Sequence, residues 1–353
     1  MTGPTLAAVR AVGSPLPWRR ILVVVAIAVL GIEACLVGPS LTGAVTSLAG
    51  VQPGWVVAAA GAAAASMSMF SRSRRRLLRA AGVVVPARSS LAAVYVANAM
   101  HVTLPGGAAF STAYTFRWMR GWGATRTTAT WALAAGGVVA SGTLAALGLF
   151  GSLLAGSTAG AWSLSASVAA VLLVAVAVRR LQRRPDAVLT VGRWVLGRVN
   201  AVRRRPPTIG VAALEELVAQ LKAVRPRGAD WTVAAAFALG NWAFDVACLA
   251  SCGLALGVSG LGLPLLLLAF TAGMAAASFS LLPGGIGVVD AAMVLTLVAG
   301  GIPAAAALPV VLLYRLISLV GVVAIGWVVA AVQSRRPQPH DLVGEPPVVA
   351  PAA

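Results

Sequence analysis

Five ionisable residues stand inside stretches that are otherwise apolar: Glu33, His101, Asp245, Asp290 and Arg315. A charge in apolar surroundings is costly, so it persists where it is paired or where it does chemistry. Arg315 lies in Leu313-Tyr314-Arg315-Leu316 and Asp245 in Asn241-Trp242-Ala243-Phe244-Asp245. A guanidinium presents a planar fork of donors that matches the oxygens of a phosphate. Arg315 therefore has two compatible roles. It binds a lipid phosphate while Asp290 or Asp245 orients it, or it forms a buried ion pair with one of them and fixes the backbone there. His101 either titrates or donates near the site, or is a packing histidine.

Two Leu-Pro-Gly-Gly sequences accompany these residues: Leu104-Pro105-Gly106-Gly107 and Leu282-Pro283-Gly284-Gly285. Pro105 and Pro283 each remove a helix donor, and the glycines permit turns closed to other residues. In Gly284-Gly285-Ile286-Gly287 the missing side chains expose N–H groups. A half-helix starting at Val288 would add its dipole, so the turn favours an anion. Gly106 and Gly107 offer the same more weakly. The turns are not phosphate-binding loops of the nucleotidase kind, because no Gly-Lys-Ser/Thr follows. No metal cluster, hydrolytic carboxylate pair or Ser/His/Asp set can be assembled, so the expectation is a protein without a catalytic constellation and without a cofactor. Cys35, Cys248 and Cys252 lie in apolar stretches and read as small buried hydrophobes.

The elements that position these residues follow from composition. The chain has 353 residues, 59% of them apolar, and only 10% are Asp, Glu, Lys or Arg, against about 25% in soluble domains. Its mean hydropathy is +0.91. The formal charge is +18, and Lys222 is the sole lysine. An ordinary soluble enzyme and a disordered chain are excluded. A nucleic-acid binder is excluded too, since a basic groove needs a polar surface this chain lacks. A polytopic membrane protein remains. Stretches of about 20 apolar residues occur at 21–41, 54–71, 128–152, 162–180, 231–257 and 304–332. Two more, 89–116 and 263–301, are interrupted by the Leu-Pro-Gly-Gly turns.

The basic residues set the orientation. Arg19 and Arg20 precede the first span; Arg72, Arg74, Arg75, Arg76, Arg79 and Arg88 follow the second; Arg117, Arg120 and Arg126 follow the first broken segment. Nine arginines lie between Arg179 and Arg205, and Arg335 and Arg336 follow the last span. The opposite loops, 42–53, 153–161, 258–262 and 300–303, contain no charged residue. The basic side is therefore cytoplasmic, with both termini inside. Segment 89–116 then enters and leaves from the cytoplasm, and 263–301 from the other side. The expected fold is all-α: about six full spans plus two oppositely oriented re-entrant hairpins, an arrangement compatible with an inverted repeat. Two ordinary helices per broken segment are the alternative. The basic insert 181–230 joins the halves of a single membrane domain, 1–332. Within it, 211–224 carries an apolar stripe and reads as an interfacial helix. The tail 333–353 is Pro-rich and aperiodic.

Three groups of residues resemble a known family. They are Leu104-Pro105-Gly106-Gly107 with Tyr114 and Arg117-Trp118-Met119-Arg120, Leu282-Pro283-Gly284-Gly285-Ile286-Gly287-Val288-Val289-Asp290, and Leu313-Tyr314-Arg315-Leu316. Together they resemble the lysylphosphatidylglycerol synthase transmembrane-domain family, the flippase-like membrane half of the multiple peptide resistance factor, here in stand-alone form. The resemblance runs from about residue 15 to 333. Family members often carry Gly-Glu after the first proline, where this chain has Gly107-Ala108-Ala109-Phe110. The resemblance implies a helical bundle with re-entrant helices that moves lipids or lipid-linked groups between leaflets. It also implies a basic role for Arg117. The aminoacyl-transferring members carry a separate soluble domain for which this chain has no room. The expectation is a flippase-like transporter of the bacterial inner membrane. An anionic phospholipid or polyprenyl phosphate would bind at Arg315, Arg117 and the glycine turns, tuned by Asp290, Asp245 and His101. A non-transporting partner of a glycosyltransferase or other lipid-modifying enzyme is the alternative, and self-association is open.

Overall fold

The computed structural model describes residues 51–104, 106–156, 197–198, 211–212, 215, 226–279, 283–285 and 287–333. The expected spans 21–41 and 162–180 lie outside them, as do Glu33, Cys35, Pro105, most of 211–224 and the tail beyond Gln333.

The described residues are helical, with no strand among them. The helices are α1 (Pro53–Ala80), α2 (Ala87–Thr103), α3 (Gly107–Gly121), α4 (Arg126–Leu154), α5 (Gly228–Ala255), α6 (Leu263–Phe279), α7 (Val288–Ala299), α8 (Ala304–Arg315) and α9 (Val322–Gln333). A 3-10 turn, Pro283–Gly285, precedes α7, and a π turn, Leu316–Gly321, joins α8 to α9. Among the described residues α1, α4, α5 and the continuous run Ala304–Gln333 are long and apolar enough to cross a membrane, while α6 and α7 are apolar but short.

Local chemistry sets the helix ends. Pro53 opens α1, where its missing N–H costs nothing. The Thr125 hydroxyl accepts from the Thr128 N–H at 3.1 Å and caps α4. The Asp230 carboxylate accepts from the Arg227 N–H at 2.8 Å and closes the start of α5. α1 extends past the expected 54–71 through Arg72–Arg79. Arginine is a good helix former, and cations at a helix C-terminus complement its dipole.

The described chain repeats one order: a long helix, a broken pair, a long helix. In residues the lengths are 28, 17 and 15, 29 in the first half. In the second they are 28, 17 and 12, 30. The two opening helices, α1 and α5, form the most extensive helix pair. They run antiparallel, shown by contacts from Gln52–Ala255 through Ser66–Asn241 and Ser73–Ala234 to Arg76–Asp230. The other contacts cross over in the same sense. The closing helix of the first half, α4, packs on α6, and the closing α9 packs on α2.

Small residues allow the close approaches, as in membrane helix packing. A Cβ at Gly326 of α9 would meet the Tyr95 carbonyl and, at 2.7 Å, the Ala99 Cβ of α2. A Cβ at Gly151 of α4 would lie 2.8 Å from the Leu267 Cβ of α6. The larger buried cluster joins Leu249, Phe270, Met293, Leu297, Val310 and Val311 of the second half. A second gathers Leu77, Leu78, Met119 and Trp131 of the first. Outward faces carry Val57, Leu153, Leu295 and Val328, each more than 60% exposed. Such faces suit lipid and not water.

Candidate functional site

α7 begins at Val288, where the sequence places it. Three glycines build the approach: Gly284, Gly285 and Gly287 have φ of 66°, 66° and 78°. These left-handed values exclude most side chains. The chain therefore doubles back within a few residues and brings the start of α7 beside the end of α8.

Arg315 bridges the two elements. Its Nη2 donates to the Gly284 carbonyl at 2.7 Å, and its Nε lies 2.8 Å from Asp290 Oδ1. The Nε–H points off that line, so Oδ1 has an ionic neighbour and no hydrogen-bond donor among the described residues. The other Asp290 oxygen, Oδ2, accepts from the Gly287 N–H at 2.9 Å. Both charged side chains are about one-sixth exposed, at 17% and 18%. The pair thus fixes the turn and still reaches the surface of the fold. Among the described residues no acceptor is given for Arg315 Nη1.

Of the two carboxylates the sequence offers to Arg315, the described ion pair is with Asp290. Asp245 lies on α5, one helical turn beyond Asn241. Its carboxyl faces the Ser66 hydroxyl, and its charge is felt at Tyr314. No ion pair between Asp245 and Arg315 is described. Two of the turn amides are engaged within the chain. Gly287 donates to Asp290, and Gly107 donates to the Leu104 carbonyl at 2.8 Å.

The first broken segment is built alike. Gly106, with φ 67°, caps α3, and a Cβ on Gly107 would strike the His101 carbonyl. His101 occupies the last turn of α2 and is exposed; Arg117 is exposed on α3. The two breaks are joined through α2, which packs against the Pro283–Gly285 turn. His101 and Arg117 are not among the groups bonded to Arg315 or Asp290.

A family model described as the lysylphosphatidylglycerol synthase TM region matches residues 20–326. The chain belongs to that family. The match spans both glycine turns, Asp290 and Arg315. No curated protein matches the chain. As a member of the lysylphosphatidylglycerol synthase TM family, the protein is a membrane domain of a kind associated with lipid modification or transport.

Two features of the site escape sequence reasoning. The Gly284 carbonyl as an Arg315 acceptor is one, because a backbone acceptor has no residue signature. The π turn beginning at Leu316, immediately after Arg315, is the other. Such turns often occur at functional positions.

Proposed function

We propose that the protein is a flippase-like lipid transporter of the bacterial inner membrane, a single membrane domain of two inverted halves with both termini cytoplasmic. Segments 89–116 and 263–301 act as re-entrant hairpins entering from opposite faces. A phosphate-bearing headgroup, of an anionic phospholipid or a polyprenyl phosphate, binds where they meet. Arg315 receives one phosphate oxygen on Nη1, Gly284 and Gly285 supply backbone donors, and Asp290 holds the guanidinium. His101, Asp245 and Arg117 bias the charge along the path. Alternating exposure follows from one half rocking against the other about the α1–α5 pair. The chain itself performs no bond chemistry in this scheme.

Arg315 carries the proposal. An arginine in the last span is anchored by a carbonyl and a carboxylate of the second broken segment, and no acceptor is described for its Nη1. Orientation by the positive-inside rule does not require a cation there.

The test is transbilayer movement of headgroup-labelled phospholipid and polyprenyl phosphate in vesicles containing the purified chain. Wild type is expected to move one of them, and R315A and D290N to lose most of that movement. If no lipid moves, and a co-purifying lipid-modifying enzyme loses activity on deletion of the chain, the protein is a non-transporting partner instead.

A further inference from the structure

The basic end of α1 carries one partly buried arginine, Arg74, with no described acceptor. Its neighbours are accounted for. Arg75 donates to the Val85 carbonyl at 3.0 Å, Arg76 pairs with Asp230 at 2.7 Å, and Arg120 of α3 donates to the Ala124 carbonyl at 2.7 Å. Arg74 has no such acceptor. Its guanidinium carbon lies 4.9 Å from the centre of the Phe70 ring. Its Nη1 is shielded from solvent and has no hydrogen-bond partner among the described residues. A ring face partly compensates a cation but accepts no guanidinium hydrogen bond in the plane of the fork. No carboxylate is described beside it. Tyr114, partly buried on α3, lies within electrostatic range of it. A cation shielded at Nη1, without a described acceptor and within electrostatic range of a phenol, is half of an anion site.

We propose that Arg74 and Tyr114 form a phosphate site at the cytoplasmic mouth of the first broken segment, distinct from the one at Arg315. Arg74 stands six residues before the end of α1, about 9 Å at 1.5 Å per residue, on the side that the arginine pattern marks as cytoplasmic. The guanidinium would give a phosphate two parallel N–H donors and Tyr114 a third. Arg117, one turn further along α3 and exposed, lies on the entry side of Tyr114. A phospholipid of the inner leaflet would thus be held before it reaches the turn between the hairpins. The site stands on Arg74 and does not require Arg315 to bind lipid.

Native mass spectrometry of the full chain tests this, with separate titrations of phosphatidylglycerol, diacylglycerol and inorganic phosphate. One phosphatidylglycerol is expected to bind with an affinity that R74Q lowers about tenfold and Y114F about threefold. Diacylglycerol, lacking phosphate, is expected to show no dependence on Arg74. If inorganic phosphate binds in an Arg74-dependent way and phosphatidylglycerol does not, the anion chemistry stands and its source is free phosphate. Equal phosphatidylglycerol affinity in wild type, R74Q and Y114F overturns the site. Should R74Q not fold, R74K, which keeps the charge without the fork, and Y114F decide on the same criterion. A failure at Arg315 would appear separately, as unimpaired lipid movement in R315A.

Discussion

The Ser66 hydroxyl donates to the Asn241 amide oxygen at 3.1 Å, between residues 175 positions apart, and each lies halfway along its helix. Pro53 and Gly228, which open α1 and α5, are separated by that same offset. Equivalent positions of two antiparallel helices can touch only at their common centre. Ser66 and Asn241 therefore mark the common centre of α1 and α5. The packing of α4 on α6 and of α9 on α2 exchanges the halves in the same way.

Both residues are buried, so breaking the bond leaves a polar group unsatisfied. S66A is expected to cost about 1 kcal/mol, within the range of hydrogen bonds between membrane helices. The double variant S66A/N241L removes donor and acceptor together and is expected to recover most of that loss. Melting temperatures of the four proteins in one detergent measure it; no recovery in the double variant would mean the bond contributes nothing.

A second cycle concerns Arg315 and Asp290. Removing one partner strands a charge in an apolar setting, and their partial exposure softens the penalty. R315A is expected to cost about 2–3 kcal/mol, and R315A/D290N about 1 kcal/mol less than R315A alone. Stability and lipid movement should separate: the double variant regains folding and still moves no lipid. Recovery of movement in it would remove Arg315 from the transport site and leave it a packing residue.

Helix identity was legible because apolar length and arginine clusters are properties of the chain alone. The starts of α6 at Leu263 and α7 at Val288, and the glycine turns between them, follow from Pro and Gly placement. The closing of Asp290 onto Gly287 was not legible, nor was the choice of Asp290 over Asp245 for Arg315. Both depend on how the turn folds back in space. Asp230 is a further instance: it caps α5 at Arg227 and pairs with Arg76, 154 residues away. Its spacing from Arg227 signals the cap, and nothing in the sequence signals the ion pair. The Ser66–Asn241 contact required knowing that the halves pair antiparallel.

Two glycines should respond differently to the same substitution. A Cβ at Gly326 meets backbone, the Tyr95 carbonyl of α2, which cannot move without shifting the helix. A Cβ at Gly240 meets only the Met69 side chain, with its Cγ at 3.4 Å, an ordinary contact. G326A is expected to cost about 2–3 kcal/mol and G240A under about 1 kcal/mol. Equal melting temperatures for the two variants would contradict the close approach of α9 to α2.

The proposed re-entrance makes a prediction that does not depend on any site. The two ends of each broken segment must lie on one side of the membrane, and the two segments on opposite sides. Ala87 and Trp122 flank the first, Ser259 and Ala304 the second, and all four are exposed. In a background with Cys35, Cys248 and Cys252 replaced by alanine, each position is changed singly to cysteine. A membrane-impermeant maleimide is expected to label S259C and A304C in intact cells, and A87C and W122C only after lysis. A helix at 1.5 Å per residue makes the 17 residues of α2 or α6 about 26 Å long, short of a full span of about 30 Å. Labelling of the two ends of one segment from opposite sides would require such a helix, or its shorter partner, to cross alone. The glycine turns would then be surface loops, and Arg315 would have no hairpin to hold.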